Sequence, residues 1–198
     1  SFSDLIDDEF GDTDVIAGVA TAGIPHGALV ADVLNLPFVY VRDKPKGHGL
    51  ENQIEGKLEP GQRVFVIEDL ISTGGSSLKA VEALRSAGAE VVGLGAIFTY
   101  GFPQAQEAFD KANCKAVTLT NYDTLLDIAL RNNYIKQEEL DTLKAWKENP
   151  QAWNKLQYSL FIYLLINFDY GIQKIRQFRI ASERPFVREL GYVWKSDC

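Results

Sequence analysis

The chain has 198 residues, of which 46% are hydrophobic, so it is long and apolar enough for one α/β domain with an appended segment. Its formal net charge of -7 argues against a general nucleic-acid binder and against a protein that attaches to membrane surfaces. The two cysteines, Cys114 and Cys198, lie far apart and provide neither a disulfide framework nor a zinc spacing, so we expect a reducing, cytoplasmic location. No stretch approaches the roughly 20 apolar residues of a membrane-spanning helix.

The amino-terminal elements lead to a loop of small residues. Phe2 to Phe10 has the spacing of an acidic amphipathic helix, and Val15 to Val19 is predicted to be a short buried strand. A helix through Gly27 to Leu34 follows. Small residues between them let backbone amides gather around an anion, although a plain strand-to-helix connection explains this loop equally well when it is considered alone. The candidate anion-binding residues are Ala20, Thr21, Ala22 and Gly23.

The next strand, predicted over Pro37 to Val41, opens into the most polar loop of the chain. This loop runs from Arg42 to Gly56 and places a cluster of basic side chains in an otherwise acidic protein. They are Arg42, Lys44, Lys46 and His48. Because ligand-binding residues concentrate on loops held by a rigid scaffold, we expect these side chains to contact a ligand, with a solvated basic loop as the alternative.

The chain is organised around residues Val64 to Ser77. Val64 to Ile67 are predicted to form a buried strand, and two acids, Glu68 and Asp69, follow at once. A loop rich in serine, threonine and glycine then leads into an amphipathic helix, whose unpaired amino-terminal N–H groups and dipole favour a phosphate. The acids suit a ligand that also carries ribose hydroxyls. An ordinary strand-to-helix turn would explain the glycines but neither acid, and the lysine of a Walker loop is absent.

Strands and helices alternate through the following part of the chain. The predicted strands are Val91 to Phe98 and Ala116 to Leu119, and the predicted helices are Ala105 to Ala112, Tyr122 to Ala129 and Lys136 to Trp146. This alternation predicts an α/β fold with a doubly wound, mostly parallel sheet. Ligands of such sheets lie at the carboxyl ends of the strands, where Ala20, Arg42, Glu68 and Thr99 fall.

The sequence from Val64 to Ser76 closely resembles the phosphoribosyl pyrophosphate motif of the type I phosphoribosyltransferases. The resemblance is strong over Asp12 to Asn154 and implies the fold of that family, with a small hood-like segment. VYVRDKPKGHG followed by NQIEG is similar to the mobile catalytic loop of the orotate phosphoribosyltransferase family. Enzymes of that family transfer the 5-phosphoribosyl group from phosphoribosyl pyrophosphate to orotate, which gives orotidine 5′-monophosphate and pyrophosphate in pyrimidine (UMP) biosynthesis.

The resemblance also implies a cofactor, a partner and roles for individual residues. The cofactor is Mg²⁺, held mainly through the substrate with no direct protein ligand expected, and the partner is a second copy whose substrate the loop from Arg42 to Gly56 contacts. The implied catalytic residues are Lys46, His48 and Asp69, with His48 donating a proton late. Phosphoribosyl pyrophosphate would be bound by Arg42, Lys44, Lys46, His48, Glu68, Asp69, Leu70, Ile71, Ser72, Thr73, Gly74, Gly75 and Ser76. The pyrophosphate loop would be Ala20 to Gly23, and orotate would contact Ser72 and Tyr100.

Two positions depart from the family pattern. Asp43 stands where many members have lysine, and Tyr100 stands near the place of an arginine that pairs with the orotate carboxylate. Another type I phosphoribosyltransferase, acting on a purine or on uracil, is therefore an alternative. A non-enzymatic nucleotide-sensing relative is a second alternative, although the acidic balance disfavours RNA binding and the cationic loop favours catalysis.

Residues 155–198 are expected to form an additional segment after a phosphoribosyltransferase core of residues 1–154. Ile172 to Ser196 faintly resembles the amino-terminal region of the family, and fewer residues precede Val15 than that region usually contains. A circular permutation that places the family's hood at the carboxy end would explain both observations. An unrelated carboxy-terminal extension is the alternative.

Overall fold

The computed structural model describes residues 1–44 and 53–152. Residues Ser1–Ile128 form one compact unit, and the described residues from Ala129 onwards belong to a second. The predicted boundary between residues 154 and 155 and the permuted hood lie outside the described residues and stay predictions. None of the helices in the described part of the chain has the length and hydrophobicity that a membrane crossing requires.

Strands and helices alternate as the sequence predicts. In chain order they are α1 (Phe2–Glu9), β1 (Val15–Val19), α2 (Gly23–Leu34), β2 (Phe38–Val41), β3 (Ile54–Glu55), β4 (Arg63–Ile71), α3 (Gly75–Ser86), β5 (Glu90–Thr99), α4 (Pro103–Lys111), β6 (Ala116–Asn121), α5 (Tyr122–Arg131) and α6 (Gln137–Glu148), followed by a 3₁₀ turn (Pro150–Ala152). Every helix and strand predicted within the described residues is present.

The described strands form one six-stranded sheet in the order β3-β2-β1-β4-β5-β6. All neighbouring strands are parallel except β2 and β3, which are antiparallel. The predicted doubly wound, mostly parallel sheet is therefore confirmed. Because the carboxyl ends of parallel strands share one edge, the residues that follow β1, β2, β4 and β5 lie at the same edge of the sheet.

The central strand is longer than the sequence predicts. The prediction that this strand ends at Ile67, before the acids, is wrong, because β4 continues to Ile71. Glu68 pairs with Ala96 of β5, and Ile71 pairs with Thr99. The backbone of the acids is thus part of the sheet, and ladder hydrogen bonds hold it in place.

Helices cover both faces of this sheet. Successive side chains of a strand point to opposite faces. Val64 and Val66 accordingly belong to a core shared with α3 and α4, whereas Phe65 and Ile67 belong to a core shared with α1 and α2. All four are fully buried. The carboxyl edge of the sheet is consequently the place where a ligand can reach the strands.

The second unit is described through α6 and the 3₁₀ turn. In α6 the residues Leu140, Leu143 and Trp146 are buried, and their spacing of three places them on one helical face. The opposite face carries charged residues, so α6 is amphipathic as predicted.

Candidate active site

A sharp turn joins β4 to α3. Gly74, the residue before the helix, has a φ angle of 81°, which is a left-handed conformation that other residues rarely adopt. A Cβ atom at this position would also lie 2.9 Å from Cε2 of Phe109. Both observations require glycine here. The N–H groups of the first turn of α3 have no helical acceptor and, together with the helix dipole, favour an anion.

Two acids with different surroundings precede this turn. Glu68 is only 4% exposed, whereas Asp69 is half-buried. Oε1 of Glu68 accepts a hydrogen bond from the Asp69 backbone N–H at 3.1 Å, and Oε2 accepts one from the Ser77 hydroxyl at 3.2 Å. Burial raises the pKa of Glu68 to about 7, the adjacent Asp69 side chain adds to the rise, and the Ser77 hydroxyl opposes it. Glu68 is therefore held by two protein donors, and Asp69 is the more exposed of the two acids.

The loop after β1 reaches the same edge of the sheet through two glycines. α2 begins at Gly23, before the predicted helical residues that start at Gly27. A Cβ atom on Gly23 would lie 2.5 Å from the carbonyl oxygen of Ile67, and one on Gly18 would lie 2.8 Å from the carbonyl oxygen of Gly23. Because glycine alone permits these contacts, the amino terminus of α2 lies directly beside β4.

These loops and acids enclose a cleft of about 500 Å³. Its volume is in the range of small-molecule sites. The cleft is lined by Ala20, Thr21, Ala22, Glu68, Asp69, Leu70, Ser72, Thr73, Gly74, Gly75 and Ser76. The structure thus brings together the predicted anion loop, both acids and the serine- and glycine-rich turn, although the first of these is distant from the others in the sequence.

Besides Arg42 and Lys44 of the basic loop, three predicted site residues do not line this cleft. Ile71 is buried in the core, and its carbonyl oxygen accepts hydrogen bonds from the Tyr100 backbone N–H and the Thr99 hydroxyl, both at 3.2 Å. Gly23 packs against the backbone of β4. The ring of Tyr100 stacks on Phe102 with 5.4 Å between centroids, and partial burial raises its pKa. The side chain of Ile71 has no access to the cleft, and an orotate contact by Tyr100 stays a prediction.

The cationic loop is anchored at its base by a short hairpin that the sequence did not predict, in which β3 pairs with β2. Nη1 of Arg42 lies 3.1 Å from Oε1 of Glu55, so the two ends of the loop are joined by an ion pair. Lys44 is exposed to solvent. Lys46 and His48 lie outside the described residues, so their catalytic roles stay predictions.

Comparisons with known proteins decide the family. The family model of the phosphoribosyl transferase domain matches residues 2–127. The orotate phosphoribosyltransferase of Listeria innocua is 60% identical over 155 residues, which cover 78% of this chain and 74% of the relative. The corresponding protein of Bacteroides thetaiotaomicron is 63% identical over 150 residues, which cover 76% of this chain and 71% of the relative. The chain belongs to the orotate phosphoribosyltransferase family.

Solved structures agree with this family and with its fold. The orotate phosphoribosyltransferase of Aeropyrum pernix has a TM-score of 0.57 at 33% identity, covering 68% of this chain and 75% of that chain. The UMP synthase of Leishmania donovani has a TM-score of 0.60 at 27% identity, covering 75% of this chain and 33% of that chain. The predicted type I phosphoribosyltransferase architecture is therefore confirmed.

Three residues that shape the site of this orotate phosphoribosyltransferase family member escaped the sequence prediction. Gly18 carried a usable signal, because a glycine inside a buried strand often marks a close backbone approach. Ser77 directly follows the phosphoribosyl pyrophosphate motif, and its small polar side chain in an apolar helix pattern was a weaker signal. Glu55 carried no signal in the sequence, since no local pattern indicates that it pairs with Arg42.

Proposed function

We propose that this chain transfers the 5-phosphoribosyl group from phosphoribosyl pyrophosphate to orotate, giving orotidine 5′-monophosphate and pyrophosphate in pyrimidine nucleotide biosynthesis. The observation that carries the proposal is that the amino terminus of α3, two acids and the loop after β1 line the same cleft. Membership of the orotate phosphoribosyltransferase family supports the choice of orotate as the acceptor.

The cleft offers a complementary group for each polar part of phosphoribosyl pyrophosphate. The 5′-phosphate would lie against the turn from Ser72 to Ser76, where N–H groups and the positive end of α3 offset its charge. The ribose hydroxyls would donate hydrogen bonds to Asp69 and Glu68. The pyrophosphate would lie against Ala20 to Ala22, whose small side chains leave the backbone amides accessible.

The catalytic contribution that we propose is electrostatic. As the bond between C1′ and the pyrophosphate oxygen breaks, negative charge builds on the leaving group and positive charge builds on the ribosyl centre. Arg42 and Lys46 would offset the first charge and Asp69 the second. His48 would protonate the departing pyrophosphate.

Mg²⁺ is the cofactor that we propose. Within residues 1–44 and 53–152, no group of three or more His, Cys, Asp or Glu side chains could hold a metal ion. Mg²⁺ prefers oxygen ligands and is usually bound by one or two carboxylates together with substrate phosphates. The phosphate oxygens of phosphoribosyl pyrophosphate fit that preference, so Mg²⁺ would be held mainly through the substrate, with no direct protein ligand. When bound, Mg²⁺ neutralises charge on the pyrophosphate.

Orotate recognition is assigned to Ser72 and Tyr100. Ser72 is exposed at the cleft, where its hydroxyl can bond a carbonyl or carboxylate oxygen of the base. Tyr100 is tied to the carboxyl end of β4 by its hydrogen bond to Ile71, so its position is set by the same strand that carries the acids.

We further propose a cytoplasmic homodimer in which the loop from Arg42 to Gly56 serves the partner's cleft. The guanidinium of Arg42 pairs with Glu55 and does not line the cleft of its own chain, which supports action on a neighbouring subunit. The buried free thiol of Cys114 suits a reducing compartment.

The direct test follows the absorbance of orotate in the presence of the purified chain. We expect the absorbance to fall only when phosphoribosyl pyrophosphate and Mg²⁺ are both added. Parallel reactions with adenine and with uracil examine the other type I phosphoribosyltransferases, and consumption of one of these bases instead of orotate would overturn the assignment. Binding of phosphoribosyl pyrophosphate without transfer to any base would support the non-enzymatic alternative.

A further inference from the structure

A buried hydroxyl in the first turn of α3 connects the phosphate turn to the acid on β4. Ser77 is fully buried and does not line the cleft, so its side chain is not placed to touch a ligand there. Its hydroxyl donates a hydrogen bond to Oε2 of Glu68 at 3.2 Å. The helix whose amino terminus forms the phosphate turn is thereby bonded to the acid on β4.

The two contacts of Glu68 fix its carboxylate from different elements. Oε1 is held by the backbone N–H of Asp69 on β4, and Oε2 is held by Ser77 on α3. A buried carboxylate that lost one of these donors would have an unsatisfied oxygen and a freer side-chain torsion. The direction in which Glu68 presents its remaining lone pairs to the cleft thus depends on Ser77.

We propose that Ser77 is a positioning residue for the proposed reaction, which sets the orientation of Glu68 relative to the phosphate turn of α3. The inference rests on the proposed function, in which the ribose hydroxyls of the substrate bond to Glu68. A ligand that bridges the turn and the acid needs both at a fixed separation, and the hydrogen bond between Ser77 and Glu68 holds that separation.

Ser77→Ala tests this role. We expect the KM for phosphoribosyl pyrophosphate to rise about tenfold, which corresponds to the loss of one hydrogen bond to a charged group, while kcat changes less. Binding of inorganic phosphate, which has no ribose hydroxyls, should change less than twofold when it is measured by calorimetry. An equal loss of phosphate binding would show that Ser77 only supports the turn, and it would overturn the inference.

The pH profile provides a second readout. The Ser77 hydroxyl opposes the raised pKa of Glu68, so its removal should move the acidic limb of the kcat/KM profile to higher pH. Among the described residues, Asp69 is the titratable group that acts on Glu68. Asp69 is unchanged in the variant, so a shift reports on the lost hydroxyl. An unshifted profile would contradict the inference.

Thr13→Ala is the matched control, because Thr13 is also a buried hydroxyl that donates a hydrogen bond, to the Phe10 carbonyl oxygen at 2.7 Å, before the start of β1. It should lose comparable stability without a change in KM or pH profile. If Ser77→Ala does not fold, Ser77→Cys carries the test, since a thiol occupies the same place but donates weakly. The inference fails if either Ser77 variant changes KM no more than Thr13→Ala does. Failure of the proposed function is separate, because wild-type protein would then consume no orotate.

Discussion

Replacement of Glu68 by glutamine should make the protein more stable at alkaline pH. Glu68 is 4% exposed, and burial raises its pKa from 4.5 to about 7 in the folded chain. A carboxyl whose pKa is raised by folding binds its proton more tightly in the folded state than in the unfolded state. Its contribution to stability is therefore fully present below pH 4.5 and is lost as the pH rises towards 7.

The size of this loss follows from the pKa shift. One pKa unit corresponds to about 1.4 kcal/mol, so ionisation of Glu68 removes about 3 kcal/mol from the free energy of unfolding above pH 7. Glutamine has nearly the same shape and does not ionise. Its side chain can accept from the Asp69 N–H and donate to the Ser77 hydroxyl, so both existing contacts of Glu68 have a replacement.

Urea unfolding at pH 5 and pH 8 measures the effect. Between these values the wild-type protein should lose roughly 2 to 3 kcal/mol more than Glu68→Gln does. Glu82→Gln is the control, because Glu82 is exposed on α3 and its replacement should leave the pH dependence unchanged. Activity should fall in Glu68→Gln even as stability rises, which is the expected trade-off at a binding site. Identical pH dependence of wild-type protein and Glu68→Gln would refute the assignment of a buried, costly charge to this position.

Asp69→Asn should lower kcat/KM by about 10²-fold or more while changing the free energy of unfolding by less than about 1 kcal/mol, because the carboxylate is half-buried at a cleft. Orotate absorbance measures the first effect and urea unfolding the second. Full activity of the variant would exclude the proposed role. Gly74→Ala should cost about 2 to 4 kcal/mol, since it combines a positive φ with a contact to Phe109. Gly61→Ala, whose added Cβ atom meets no described atom within 4 Å, should cost only about 1 to 2 kcal/mol in the same unfolding assay, and equal costs would contradict the clash. Mixing Lys46→Ala with Asp69→Asn should restore roughly a quarter of wild-type activity after subunit exchange, because half of the dimers are mixed and each has one intact site of two. No recovery despite demonstrated exchange would mean that the loop serves its own subunit.

The sequence by itself determined the order of the helices and of the strands other than β3, the doubly wound sheet and the phosphate turn before α3. These features depend on neighbouring residues, since hydrophobic periodicity and the conformational freedom of glycine act over a few positions. The motif from Val64 to Ser76 could be identified for the same reason, because its acids, hydroxyls and glycines are contiguous.

Only the tertiary structure decided how far β4 extends and how its two acids differ. The strand continues to Ile71 because β5 lies alongside it, and that pairing cannot be read from either strand alone. Glu68 and Asp69 are adjacent acids in the sequence, yet the first is buried with Ser77 bonded to it and the second is half-buried at the cleft. Their difference arises because burial and hydrogen-bond partners, which set the pKa of a carboxyl, are properties of the packed chain.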